Sequence, residues 1–210
     1  ELYLRTAAFE FSSSFFRVRG LDSEQGTVLI NGVPMNKTTT GRPDWSNWGG
    51  LNEVLKNQEF SACLRASNTT FGGFLGSTNM LTRASEIRPG AAVSYASSNR
   101  SYVHRAMATY ATGLTKKGWA FAFSASKRMA QEGYANGTLY DANAVFIGVE
   151  KQVNQRHSVN FTGIFTPVKR GKSSPNTQEV VQLKGPRYNA YWGFQNGKIR
   201  NSRIKEVAEP

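Results

Sequence analysis

The sequence predicts a mainly β protein with a small α+β part at its N-terminal end. Apolar and polar residues alternate in successive segments after residue 85, which is the pattern of strands whose two faces meet different surroundings. Twenty glycines and an aromatic content of 12% favour strands joined by many turns. Before residue 85, short β segments are mixed with one helical segment, so the two parts of the chain are expected to differ in structure.

The part before residue 85 is predicted to hold short strands, tight turns and one helix. The segment 27–30 is β-branched and apolar, as buried strands are. Asn31 and Gly32 form a turn dipeptide because both residues tolerate a positive φ, and Pro34 then indicates an edge strand or a loop. Apolar residues with helical spacing predict a short amphipathic helix over 51–56.

The part after residue 85 shows its clearest strand at 119–126. Trp119, Phe121 and Phe123 alternate there with small residues, so one face is large and apolar while the other is small and partly polar. Strands that cross an outer membrane have such faces. A soluble antiparallel sheet with one wet face gives the same alternation, and periodicity alone leaves both interpretations open.

The connections between the predicted strands suggest an orientation for the membrane interpretation. Barrels have short turns at the periplasmic end and longer loops outside. If the first strand rises from the periplasm, the outer connections are 97–101, 129–140 and the polar, basic stretch from 167 onward. The inner turns are then 114–118 and 154–157.

Composition excludes several classes of protein. The formal net charge is +12, which is compatible with a soluble basic β-sheet protein that binds nucleic acid or polysaccharide. The basic residues are nevertheless spread singly along most of the chain, so a solvated strand or loop face is expected instead, without nucleic acid. No nucleophile elbow, phosphate-binding loop or metal-ligand spacing occurs, so we expect neither an enzyme nor a cofactor.

Three motifs in fixed order carry a resemblance to a known family. Residues 16–20 read FRVRG, residues 28–34 read VLINGVP, and residues 71–83 read FGGFLGSTNMLTR. They resemble plug-domain segments of TonB-dependent outer-membrane receptors, in which the second is typically VLIDGVP and the third YG.GAIGGVINIITK. The chain departs from that pattern at Asn31, which replaces an aspartate, and at Ser77-Thr78, which replace glycine-valine. The subfamily therefore stays open among siderophore, cobalamin and SusC-like glycan importers.

The resemblance implies a fold and a function for nearly the whole chain. Residues 1–84 would be the C-terminal part of the plug domain, and residues 85–210 the first strands and outer loops of a barrel that normally has 22 strands. Such receptors lie in the outer membrane of Gram-negative cells and import a siderophore, vitamin or glycan into the periplasm. The partners implied are TonB, which acts through an N-terminal box missing from this chain, membrane lipid, and in some members a surface lipoprotein.

Three groups of residues are the candidate site residues. Plug–barrel contacts are expected from Arg17, Arg19, Arg83 and Arg88, which would otherwise be ordinary solvated residues. Ligand contacts are expected from Trp45, Trp48, Tyr188, Tyr191 and Trp192, with loop packing as the alternative. Turns or close backbone approaches are expected at Gly20, Gly32, Gly72, Gly73 and Gly76.

Overall fold

The structure is a computed structural model that describes most of the chain. The described residues are 20–207, with the exception of Leu64, Ala66, Gly72, Asn99, Pro175 and Asn196. The predicted strand at 15–20 and the candidate residues Arg17, Arg19 and Gly72 therefore lie outside the described residues. We call residues 20–84 the N-terminal module.

The N-terminal module is built on a four-stranded mixed sheet. Its strands are β1 (Thr27–Ile30), β2 (Val33–Pro34), β3 (Gln58–Ser61) and β4 (Ser77–Met80), in the order β2-β1-β4-β3. The central strands β1 and β4 are parallel, and β1 is almost wholly buried, as its apolar sequence predicts. The edge position of β2 agrees with the proline in that strand, which cannot complete a ladder on both sides. Short 3-10 turns occur at Ser23–Gln25 and Trp45–Asn47.

The predicted helix at 51–56 is wrong. The segment forms a single hydrogen-bonded turn in which the N–H groups of Val54 and Leu55 both donate to the carbonyl of Leu51. Gly50 precedes it with a φ of +96°, and β3 begins at Gln58, so there is no room for further helical turns. The apolar residues are still buried, because one turn is enough to bring their side chains to the same side.

The second sheet, which we call the wall sheet, is antiparallel throughout. Its strands are β5 (Gly90–Ser97), β6 (His104–Ala111), β7 (Trp119–Ala130), β8 (Tyr140–Gln152), β9 (Ser158–Phe165) and β10 (Val168–Gly171), joined by a strand near the C-terminus. The strands β5 to β8 pair in chain order. β9 pairs with the second half of β8, from Val145 onward, and β10 pairs with the first residues of β8. The wall sheet does not close into a barrel within the described residues.

The prediction that everything from Pro167 onward is an outer loop is only partly right. β10 continues along β8, and the last strand, β13 (Ile204–Val207), pairs antiparallel with β10. Between them lie a helix, α1 (Gln178–Lys184), and a hairpin of β11 (Trp192–Gln195) and β12 (Lys198–Asn201). These strands were not predicted because each is only four residues long and lies in a polar, basic stretch.

The N-terminal module packs on one face of the wall sheet. A continuous apolar core joins Leu51 and Val54 of the module to Ala122, Ala144 and Phe146 of the wall sheet. No helix in the described part of the chain is long and apolar enough to cross a membrane. The described residues also contain no cluster of histidine, cysteine or acidic side chains that could hold a metal ion.

Candidate functional site

The two faces of strand β7 differ in side-chain size and in exposure. Along β7, Trp119, Phe121 and Phe123 are 40%, 45% and 46% exposed, whereas Ala120 and Ala122 are 0% and 3% exposed. A soluble sheet would bury its aromatic side chains, because burying large apolar groups is what stabilises the fold in water. Here the small side chains face the N-terminal module, and the large apolar side chains face away from the protein.

The large outward side chains form a continuous surface across neighbouring strands. The register places Tyr110, Phe123 and Ile147 side by side on β6, β7 and β8, and each is about half exposed. Phe121 and Phe161 occupy a second row on either side of Val149. Exposed apolar patches of this extent mark contact with another apolar phase or surface.

The inward face meets the N-terminal module along an interface that we call the seam. At one end of the seam, Glu150 of β8 is 1% exposed and accepts three hydrogen bonds. Arg83 Nη2 donates to its Oε1, while the backbone N–H and the hydroxyl of Ser85 donate to its Oε2, at 3.1 and 2.6 Å. Arg83 also donates to Ser158 Oγ at 2.9 Å. The hydrogen bond to Glu150 raises the pKa of the Arg83 guanidinium above its ordinary value.

In the middle of the seam, one asparagine bridges the module to the wall sheet. Asn31 adopts a φ of +49° in the turn after β1, and its side chain points to β9. Its Nδ2 donates to Thr82 Oγ1 at 2.7 Å and to Thr162 Oγ1 at 3.4 Å, while its Oδ1 accepts from the backbone N–H of Thr82 at 2.9 Å. The amide both donates and accepts, which the aspartate of the family motif cannot do in its ionised form.

At the opposite end of the seam, the loop around Trp48 is held by Arg128, near the end of β7, and by Thr166, just after β9. Arg128 of β7 donates to the carbonyl of Gly49 at 3.0 Å, and the hydroxyl of Thr166 donates to the carbonyl of Asn47. The Arg128 guanidinium also lies 5.6 Å from the ring centroid of Tyr140. Trp48 itself is 2% exposed.

Several buried polar atoms at this end have no protein partner among the described residues. They are the indole nitrogen of Trp48, the hydroxyl of Ser126 and Nε of Arg128. An unpaired buried polar group is costly, and buried water commonly provides the missing hydrogen bonds. The seam therefore combines the continuous apolar core with polar contacts at both ends.

The fold matches part of a known receptor. It superimposes on the crystal structure of the siderophore receptor PiuA from Acinetobacter baumannii with a TM-score of 0.50 and 15% sequence identity. The match covers 75% of this chain and 21% of that receptor, so the chain spans about a fifth of the length of the protein that it resembles. The chain folds like part of a TonB-dependent receptor. No protein-family model matches the sequence, and no curated protein matches it either.

This receptor-like fold confirms the resemblance that the three sequence motifs suggested, at the level of the fold. Two of the predicted contact arginines are described. Arg83 spans the seam to Glu150, as above, while Arg88 is exposed just before β5. Glu150, Ser85 and Arg128 were missed as contact residues. For Glu150 the signal in the sequence is its parity on β8, since it alternates in phase with the inward Phe146, whereas Ser85 lies in a turn and has no such signal.

The aromatic residues predicted to contact a ligand lie in two separate places. Trp45 and Trp48 pack edge to face in the module loop, with ring centroids 5.7 Å apart. Trp45 is 54% exposed, so it is the available member of the pair, whereas Trp48 is an anchor against the wall sheet.

The other three aromatic residues belong to the connection between β10 and β13, which packs on the loop between β7 and β8. Tyr188 and Tyr191 are half-buried, and Trp192 packs over Gly137 in the loop between β7 and β8. Asn189 and Asn201 are buried and hold the same two connections together, donating to the carbonyls of Asn136 and Gly137. These two connections form one ordered unit at the same end of β7 and β8, which we call the loop cap.

Most of the described candidate glycines occupy positions that require glycine. Gly20, Gly32 and Gly76 have φ values of +76°, +82° and +80°. A Cβ on Gly76 would lie 2.0 Å from the carbonyl oxygen of Ser61, so this glycine allows the backbones to approach each other next to β4. Gly73 has no left-handed φ, but its carbonyl accepts from the backbone N–H of Gly76 in a turn, and a Cβ there would lie 3.4 Å from the carbonyl oxygen of Gln25.

Proposed function

We propose that the chain is part of a TonB-dependent outer-membrane transporter in a Gram-negative cell. In this proposal residues 1–84 form the C-terminal part of the plug, and residues 85–210 form the first strands and outer loops of the barrel. The whole protein imports a ligand, namely a siderophore, vitamin or glycan, without breaking a bond in it. TonB is the energy-transducing partner, lipid surrounds the strands, and a surface lipoprotein is a candidate partner.

The observation that carries the proposal is the outward face of the wall sheet. The outward positions of β7 are apolar from Trp119 to Ala125, and the next one is Lys127, which pairs with Asp141 of β8. Trp119 to Lys127 spans about 26 Å along a strand at about 3.3 Å per residue. At a tilt of about 40° this gives about 20 Å along the membrane normal, within a few ångströms of the apolar band of outer-membrane barrels.

The seam supports the plug assignment for the N-terminal module. A plug must leave the lumen or shift within it during transport, so its contacts with the wall should be separable. The two ends of the seam consist of hydrogen bonds and one ion pair, and water can replace each neutral hydrogen bond at a net cost of about 1 kcal/mol. A soluble basic β-sheet protein, the alternative function, would not need such an interface beside an exposed aromatic face.

The proposal is tested by a lysine substitution on the outward face of the full-length protein. Phe123 lies in the middle of the apolar band, where lysine destabilises a membrane barrel by about 2–4 kcal/mol. We expect Phe123→Lys to lower the fraction of folded, heat-modifiable protein in outer-membrane fractions. The control is Leu114→Lys, the same kind of change at an exposed position in the turn before β7, which should fold normally.

A second measurement addresses transport itself. Cells that produce the wild-type protein should take up radiolabelled candidate ligands, and deletion of TonB should abolish that uptake. The proposal fails if the wild-type protein stays in the aqueous fraction and Phe123→Lys leaves its folding unchanged. If the protein fractionates with the outer membrane but takes up none of the three ligand classes in a TonB-dependent way, the transport part of the proposal is refuted and only the membrane-barrel part stands.

A further inference from the structure

We propose that a cleft on the outward face of the wall sheet binds the headgroup of an anionic phospholipid in the periplasmic leaflet. The inference rests on the proposed function, because it requires the outward face to contact lipid. The cleft has a volume of about 420 Å³ and lies where β7 begins. Its lining residues are Thr115, Lys116, Lys117, Trp119 and Phe121.

One side of the cleft is a turn whose shape is fixed by its own hydrogen bonds. The backbone N–H and the hydroxyl of Thr115 both donate to the carbonyl of Trp119, at 2.8 Å each. The backbone N–H of Trp119 donates back to Thr115 Oγ1 at 3.1 Å, and Gly118 closes the turn with a φ of +73°. The exposed side chains of Lys116 and Lys117 therefore project from a preformed frame, which reduces the entropy lost on binding an anion.

The other side of the cleft is apolar. The rings of Trp119 and Phe121 are stacked, with centroids 5.8 Å apart and planes inclined by 9°. Both rings are exposed and continue into the outward row that includes Phe161. A ligand that fits both sides needs an anionic group attached to a long apolar chain, which is the chemistry of a phospholipid.

A third ammonium group is fixed beside the first two. Lys151 of β8 faces outward opposite Trp119, donates from Nζ to the carbonyl of Lys117 at 2.7 Å, and lies 4.9 Å from the Trp119 ring centroid. Aromatic side chains with adjacent basic groups are typical of the level at which lipid headgroups lie, and clustered basic residues there attract anionic lipids.

The acidic residues of β8 do not neutralise this cluster. Glu150, which neighbours Lys151 in the chain, faces inward and is paired with Arg83. Asp141 lies at the far end of β8, where it pairs with Lys127. The positive charge at the cleft is therefore available to a phosphate, and the position of the cleft beside an inner turn places that phosphate in the periplasmic leaflet.

The test is lipid binding by the full-length protein, purified in mild detergent and measured by native mass spectrometry. The probes are phosphatidylglycerol and phosphatidylcholine with the same acyl chains. The test variant is Lys116→Gln with Lys117→Gln. The matched control is Lys184→Gln with Lys198→Gln, which removes the same charge from exposed positions in the outer connection between β10 and β13. Heat-modifiable mobility verifies that both variants fold.

We expect the wild-type protein and the control to retain phosphatidylglycerol in preference to phosphatidylcholine. The test variant should bind phosphatidylglycerol roughly 30-fold more weakly, since two basic groups near the lipid headgroup are lost. Equal phosphatidylglycerol binding by the test variant and the control would overturn the inference, as would equal wild-type affinity for the two lipids. If the protein is folded in the outer membrane and transports its ligand while showing either result, only the lipid site is wrong. Absence from the membrane would instead refute the proposed function.

Discussion

The substitution Glu150→Gln tests the end of the seam at which a buried carboxylate accepts three hydrogen bonds. The carboxylate is almost completely buried and accepts hydrogen bonds from Arg83 and from two groups of Ser85. Glutamine keeps the shape but has one acceptor oxygen, so its amide NH₂ must face either the guanidinium or the Ser85 donors. Arg83 would also lose its buried counter-charge.

The magnitude follows from the exposure of the two partners. Removing one member of a fully buried ion pair costs about 3–5 kcal/mol. The Arg83 side chain is 37% exposed, and solvent screens a part of that loss, so we expect about 2–3 kcal/mol. At 1.36 kcal/mol for each factor of ten, this corresponds to about 30- to 150-fold faster local opening.

The assay is amide hydrogen exchange across residues 79–87 in the full-length protein, which reports local opening of the module next to the wall sheet. The control is Glu86→Gln. Glu86 also pairs with Arg83, at 3.8 Å, but its side chain is 36% exposed, and exposed pairs contribute little. The control should change exchange by less than about threefold. Equal effects of the two substitutions would refute the conclusion that the buried carboxylate holds the seam.

Two further substitutions test the N-terminal module and the loop cap, which consists of the β7–β8 and β10–β13 connections. Gly76→Ala places a Cβ 2.0 Å from the Ser61 carbonyl at a positive φ, and should destabilise β3 and β4 by about 2 kcal/mol or more. Gly20 has a similar φ, but a Cβ there would meet no atom within 4 Å. Gly20→Ala should therefore leave the amide exchange rates of β3 and β4 near those of the wild-type protein. Asn201→Ala removes the bond to the Gly137 carbonyl, and a lost buried hydrogen bond of about 1 kcal/mol or more should speed exchange at 131–139 at least fivefold. An unchanged rate would show that the cap does not depend on this asparagine.

The wall sheet could be predicted from the sequence because each strand has a period of two that its surroundings enforce. Trp119, Phe121 and Phe123 alternate with small residues, and the structure places the two sets on opposite faces. Alternation could not show which face is covered. That depends on the N-terminal module, whose Leu51 and Val54 fill the inward face from far away in the chain.

The pairing across the seam and the short elements of the loop cap could not be predicted from the sequence, for different reasons. Arg83 was predicted as a contact residue, but its partner Glu150 lies 67 residues away in the sequence, and only the three-dimensional fold brings the two together. The connection between β10 and β13 holds a seven-residue helix, α1, and a hairpin of two four-residue strands, which are too short for hydrophobic periodicity to identify. The turn at Asn31 and Gly32 was predictable because a positive φ is a local property.

The outward face of the wall sheet is tested most directly by spin labels on the reconstituted full-length protein. In a cysteine-free background of the full-length protein, which includes Cys63→Ser, single nitroxides are placed at Phe123 and, as an aqueous reference, at Asn154 in the exposed turn after β8. Lipid contact predicts that the label at 123 collides with dissolved oxygen far more often than with a water-soluble nickel chelate. The label at 154 should show the opposite preference. Frequent collisions of the label at 123 with the nickel chelate would mean that this face meets water, and the membrane assignment would be contradicted.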